Sequence, residues 1–142
     1  MSNELELTLL NQPSEVSRMQ NELESFARQH GLASRAVHDV QLALEEHLTN
    51  ILSHAFADSG EHRICVRVEF EAPDLRVTVE DDGRPFNPLE HPTPDLSKPL
   101  EARPIGGLGI HMMKKSMDHL EYRRIADKNV LAIIKSFRTP AP

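Results

Sequence analysis

The chain is poor in several things, and each shortage excludes something. It has one cysteine, Cys65, among 142 residues. No intrachain disulfide can form, which suits a reducing compartment. Cys65 lies between Ile64 and Val66 and reads as a small core or edge residue. Only His62 stands near it, too few ligands for a zinc site. The sequence has no long apolar run, and no basic stretch precedes an apolar one at its N-terminus. Neither a membrane span nor a secretory leader is therefore expected, and the cytoplasm is the expected location. Basic charge is scarce too: 16 Lys and Arg face 22 Asp and Glu, a net charge of −6. Nucleic-acid binders need a basic patch. The two short basic pairs, Lys114–Lys115 and Arg123–Arg124, read instead as solvated faces, so no direct nucleic-acid partner is expected. There is no internal repeat and no second domain boundary, and the length suits one domain over 1–142.

What is present is strongly patterned. Leu5, Leu7 and Leu9 alternate with polar residues, which predicts a half-buried strand. Pro13 and Ser14 then open a helix with Val16, Met19, Leu23, Phe26 and Ala27 at helical spacing, and Gly31 is placed to stop it. Ser34 is set to cap a second helix running to about Phe56, with Val37, Val40, Leu44, Leu48, Ile51 and Ala55 as its apolar stripe. Ile64 to Phe70 and Leu75 to Val79 alternate as two strands about the turn Ala72-Pro73-Asp74. Six of the ten prolines fall between Pro85 and Pro104. No periodicity survives there, so a lid-like loop is expected over about 85–106. Gly106-Gly107-Leu108-Gly109 precedes a third helix bearing Ile110, Met113 and Met117. Leu120–Ile125 and Val130–Phe137 form a last hairpin. The expected fold is α+β, a two-layer α/β sandwich with a mostly antiparallel sheet and helices on one face.

Three places could carry chemistry. Glu46 and Asn50 are four residues apart on the second helix and share a face, offset by roughly 40°. Ala43 and His54 fall near the same stripe, away from the apolar one. Taken alone, such a stripe is an ordinary solvated helix face. As chemistry, a carboxylate and an amide oxygen at this spacing could hold a hydrated Mg²⁺ or a water. Asp81 and Gly83 end a strand. They read either as a simple turn or as a carboxylate for an exocyclic amine, with glycine letting a base come close. Gly107 and Gly109 open a helix, where free N–H groups and the helix dipole favour phosphate; the same glycines would also serve as a hinge. No Gly-Lys-Ser/Thr follows and the third glycine of a dinucleotide fingerprint is missing, so neither of those loops is present. His47 and His54 read as structural or surface residues.

In this order, Glu-x-x-x-Asn on a helix, Asp-x-Gly after a strand, a long loop and Gly-x-Gly opening a helix, the chain resembles the GHKL ATPase superfamily over about Leu5 to Phe137. ALEEHLTNILSHAF (43–56), GGLGIHMMKKSMDHLEYRR (106–124) and the NVLAIIKSF strand are similar to the anti-sigma-factor serine kinases of bacterial switch modules. The resemblance implies the Bergerat fold, ATP and Mg²⁺ as cofactors, Asn50 on the metal, Asp81 on adenine, and Gly107 and Gly109 on the phosphates, with Gly83 in the nucleotide site. It implies Glu46 as general base toward a Ser or Thr hydroxyl on a STAS-type antagonist, with a sigma factor as second partner and a homodimer as assembly. Three positions depart from the family pattern. Leu108 replaces an arginine often found between the glycines, His111 replaces an apolar residue, and apolar residues around Val130–Ala132 replace a threonine of the last strand. The competing class is a non-catalytic module of the same fold that binds nucleotide or protein without transferring phosphate.

Overall fold

The computed structural model describes residues 2–58, 60–90 and 107–137, with backbone alone at 107 and 108. The chain opens with β1 (Glu4–Leu10), whose Leu5, Leu7 and Leu9 turn to one side while Glu4, Glu6 and Thr8 turn to the other. Helix α1 (Pro13–Gln29) starts at a proline, whose missing N–H would have no helical partner there. It ends before Gly31, whose φ of 66° lets the chain turn through the left-handed region. Helix α2 (Ser34–His54) follows. Its N-cap is Ala33 and not Ser34, because the Ala33 carbonyl already accepts the Val37 N–H; no side chain caps this end.

Strands β2 (Arg63–Glu71) and β3 (Asp74–Asp81) form the expected hairpin. A short 3-10 turn at Pro88–Glu90 comes next, then α3 (Gly107–Ser116), β4 (His119–Ile125) and β5 (Lys128–Ser136). Among the described residues five strands lie in the order β1-β2-β3-β5-β4, and their pairings are antiparallel. Among the described residues three helices share the inner face of the sheet. Leu23, Leu44, Leu48 and Met113 from the helices bury against Leu9, Val66, Val77 and Ile133 from the strands in one cluster. The α+β two-layer architecture read from the sequence is the one observed.

Two local features place the site. The β4–β5 loop is two residues, Ala126 and Asp127, both at positive φ (50° and 63°). That is the turn geometry matching strand twist, and it sets the register in which Arg124 faces Asn129. The expected loop is also not structureless from its start. Phe86 and Leu89 pack on the core, and the Asn87 side-chain oxygen accepts the Leu89 N–H. Residues 91–106, which include Gly106, lie outside the described residues.

One core position is out of character. His47 sits on α2 at 3% exposure, and among the described residues neither ring nitrogen has a hydrogen-bond partner. Burial drives its pKa from 6.5 down to about 4, so the folded protein holds it neutral. The unfolded chain takes up this proton below about pH 6.5, so stability is lost as pH falls from 6.5 toward 4. The full effect is on the order of 3 kcal/mol for a shift of this size. His47→Leu is expected to flatten that slope in urea melts between pH 7 and 4.5. An unchanged slope would show that His47 is not the group responsible.

Candidate functional site

Helix α2 carries one half of the site. Glu46 and Asn50 lie one turn apart, and the Asn50 amide donates to Glu46 Oε1 at 3.4 Å. The stripe that holds them is not solvated as its sequence suggested. Asn50 is 8% exposed and Ala43 2%, Glu46 is half-buried, and His54 at the end of the stripe is exposed. At Glu46 the stripe is covered by α3, which lays its first turn against α2. At Gly109 an added Cβ would fall on the Glu46 carboxylate, so the backbone of α3 touches this acid only because glycine stands there. Gly107 begins the same helix, whose first N–H groups have no helical acceptor.

The other half is the chain that leaves β3. Val77 and Val79 point inward, and strand alternation then brings Asp81 inward as well, to 3% exposure. Its Oδ1 accepts the Gly83 N–H at 2.9 Å. Gly83 in turn lies against the end of α2, where an added Cβ would sit 2.6 Å from both the Ala55 Cβ and the Ala55 carbonyl oxygen. Next to it Arg84 closes the helix end. Its N–H donates to the Ala55 carbonyl at 2.9 Å and its Nε to the His54 carbonyl at 2.6 Å. Those carbonyls have no partner within the helix, and a cation suits the negative end of its dipole.

A residue missed from sequence ties this loop down. Asn129 is the direct partner of Asp81 across β3 and β5 and is 4% exposed. Its amide donates to Asp81 Oδ1 at 3.0 Å and to the Arg84 carbonyl at 2.9 Å. Its oxygen accepts the Phe86 N–H at 3.2 Å and the Tyr122 hydroxyl at 2.5 Å. Arg124 adds a bond to the Gly83 carbonyl at 2.8 Å. The signal was the alternation itself. Leu131 and Ile133 face the core, so Asn129 must too, and a polar residue at an inward position of a central strand needs a polar partner. It precedes the apolar stretch Val130–Ala132 by a single residue.

Burial pushes the Asp81 carboxyl above its usual range, while the hydrogen bonds from Asn129 and Gly83 pull the other way. Among the described residues no donor meets its second oxygen. The site is therefore a buried acceptor at one end of α2 and an oxygen pair, Glu46 and Asn50, one turn and a half away along the same helix. That pair suits Mg²⁺, which takes oxygen ligands and needs only one or two from the protein when phosphates supply others. The Asn50 amide nitrogen is turned to Glu46, which leaves its oxygen for a cation. A cavity of about 370 Å³ opens between α2 and α3, with Asp39, Leu42, Glu46, Gly109 and Met112 in its walls. It reaches Glu46 but neither Asn50 nor Asp81.

Comparison with known proteins identifies the family and the fold. The profile of the histidine kinase-like ATPase domain matches residues 9–135. The chain is 29% identical over 125 residues to the serine-protein kinase RsbW of Listeria monocytogenes, covering 85% of this chain and 80% of that one. It is 28% identical over 102 residues to the serine/threonine-protein kinase BtrW of Bordetella bronchiseptica, 72% of each chain. Among solved structures it is similar to the RsbU and RsbW domains of a Mycobacterium tuberculosis protein, with a TM-score of 0.70 at 16% identity. That match covers 99% of this chain and 34% of the other. A blue-light activated histidine kinase from Erythrobacter litoralis aligns at a TM-score of 0.59 and 20% identity, over 87% of this chain and 41% of its own.

The two glycines should respond differently to alanine. At Gly83 the obstacle is the Ala55 backbone, which cannot swing aside, so Gly83→Ala is expected to lose about 1–3 kcal/mol. At Gly109 the obstacle is the end of the flexible Glu46 side chain, and alanine favours a helix by about 0.5–1 kcal/mol. Gly109→Ala should therefore fold as well as the parent, with Glu46 displaced. Urea denaturation of both variants checks this, and the reverse order would contradict the two approaches described.

Proposed function

The chain belongs to the histidine kinase-like ATPase domain family, and from that premise we propose that it is an ATP-dependent protein serine/threonine kinase that also acts as an anti-sigma factor. One observation carries the catalytic part: a carboxylate, Glu46, is held one turn before Asn50 and against the first turn of α3. A module that only bound nucleotide would have no use for an acid at the start of a phosphate-binding helix, where it competes with the ligand's own charge. A base that takes a hydroxyl proton must stand there. The names of the relatives, serine-protein and serine/threonine-protein kinases, support the same reading.

In this reading 1–142 is one ATP-binding domain. Asp81 accepts the exocyclic amine of adenine, and Gly83 keeps the wall beside it free of a side chain. The N–H groups of the α3 first turn, opened by Gly107 and Gly109, receive phosphate oxygens. Asn50 would hold Mg²⁺, which neutralises phosphate charge when bound. Glu46 orients the acceptor hydroxyl and takes its proton as the hydroxyl oxygen bonds to the γ-phosphorus and ADP leaves. The acceptor is a Ser or Thr on a STAS-type antagonist, and the cavity between α2 and α3 is its way to Glu46. Release of a bound sigma factor follows when the antagonist is unphosphorylated. The assembly is a homodimer and the location cytoplasmic. Among the described residues no helix is long and apolar enough to cross a membrane.

Titration calorimetry with ADP and ATP tests the site, with and without Mg²⁺. Magnesium-dependent micromolar binding is expected, weakened at least about tenfold in Asn50→Ala, the equivalent of about 1.4 kcal/mol. Glu46→Gln should leave ADP affinity within a few fold and slow transfer to a STAS-type antagonist by about 10²–10⁴-fold. Transfer at the parent rate in Glu46→Gln would remove Glu46 as the base and leave a different group to be found.

A further inference from the structure

Asn129 has no role in the reading above, yet its hydrogen-bonding capacity is entirely used and all of it is spent on the site. Two donors, the Phe86 N–H and the Tyr122 hydroxyl, converge on its oxygen. That forces its NH₂ toward two acceptors, Asp81 Oδ1 and the Arg84 carbonyl. An amide held this way cannot flip without turning three favourable contacts, with the Phe86 N–H, Asp81 Oδ1 and the Arg84 carbonyl, into repulsive ones. Asp81 Oδ1 consequently faces two donors of fixed direction, Asn129 Nδ2–H and the Gly83 N–H. Its other oxygen is the one presented to a ligand.

We propose that Asn129 is a positioning residue that fixes the hydrogen-bonding sense of residue 81 toward the bound base, and so selects a 6-amino purine over a 6-oxo purine. The inference rests on Asp81 meeting the base of a nucleotide. The chain of direction runs from the Phe86 N–H and the Arg84 carbonyl through Asn129 to Asp81, and only the last atom touches the ligand. Asp81 Oδ2 can accept from a 6-amino group but meets the 6-oxo group of hypoxanthine oxygen to oxygen. A buried polar pair of that kind is left unsatisfied, which corresponds to a discrimination of about 10- to 100-fold. Inosine nucleotides are the probe, because they replace the 6-amino donor by a 6-oxo acceptor and change the ring otherwise only at the adjoining N1, which gains a proton.

The directional lock makes an unusual demand on Asp81→Asn, a change of almost no volume. Its side-chain oxygen must lie toward Asn129 and Gly83, so its NH₂ must face the base. The preference should then invert, with Mg²⁺-IDP bound about 3- to 10-fold tighter than Mg²⁺-ADP. In the double variant Asp81→Asn/Asn129→Asp the acceptor is on strand β5. The residue 81 amide turns its NH₂ toward residue 129 and its oxygen toward the ligand, and preference for Mg²⁺-ADP returns. Calorimetry with both nucleotides reads these ratios, and a cooperative thermal melt accompanies each variant. A purely structural Asn129 would lower both affinities together and leave the ratio untouched. The proposal is overturned if Asp81→Asn binds both nucleotides equally or neither while still melting cooperatively. It is overturned equally if the double variant keeps the inverted preference, since Gly83 alone would then set the direction. A parent protein that binds neither nucleotide sinks the nucleotide reading itself, whereas a parent that binds Mg²⁺-ADP beside an Asp81→Asn that does not invert sinks this inference alone.

Discussion

The site depends on one close approach: the turn after β3 lies directly on Ala55, the residue that caps the end of α2, at a distance only a glycine permits. Gly83 meets both the Cβ and the carbonyl of Ala55 there. This contact brings a strand end and a helix end, which come from separate parts of the sequence, into a single unit. Arg84 then satisfies the two helix carbonyls that the contact would otherwise shut away from water. Because α2 is rigid, fixing its end to Asp81 also fixes Asp81 relative to Asn50 and Glu46. At its far side Glu46 is met by Gly109, so a second glycine contact joins α3 to the same helix. Two glycines, one at each end of a short stretch of α2, hold three segments of chain in register.

Most of the fold is legible in the sequence because it rests on period. The alternation in the strands and the 3.6-residue stripe of α2 are set by burial against one core, and burial is what the pattern records. What the pattern does not record is the second layer of contact. The Glu46–Asn50 stripe carries no apolar residues beyond Ala43, so by period it is a water-facing stripe. At Glu46 it is covered because α3, some sixty residues later, packs against it. Ser34 shows the same limit at smaller scale. Its hydroxyl makes it a good cap by type, but the first helical hydrogen bond already begins at Ala33. The alternation of β5 marks Asn129 as inward, but its partner is legible only jointly with Asp81. Each reads singly as a turn or strand-end residue, and their meaning comes from the register that pairs them.

The electrostatics of Asp81 show why the pairing matters. Burial raises the free energy of its ionised form, and two hydrogen bonds to one oxygen offset part of that. The offset is incomplete, since the net shift remains upward. A ligand donor on the second oxygen would supply what is missing and would do so in a low-dielectric setting where hydrogen bonds to charge are strong. Asp81 thus carries a small penalty that a donor on its second oxygen would remove and an acceptor there would increase. Selectivity of this kind comes from the acceptor left waiting rather than from the tightness of the pocket.

Helix α2 finally joins stability to function in one element. Its apolar stripe, with Leu44, Leu48 and Ile51, is central to the core, and its polar stripe holds Glu46 and Asn50. Between the two lies His47, a buried polar ring without a partner among the described residues. A helix that serves both faces cannot be moved to suit one without disturbing the other. Ordering of the polar face is therefore maintained by the core and needs little from the ligand, which is the preorganisation that positioning chemistry requires. The same coupling implies that changes on the polar stripe act locally, at Glu46 or Asn50, while changes on the apolar stripe reach the site only through the whole helix.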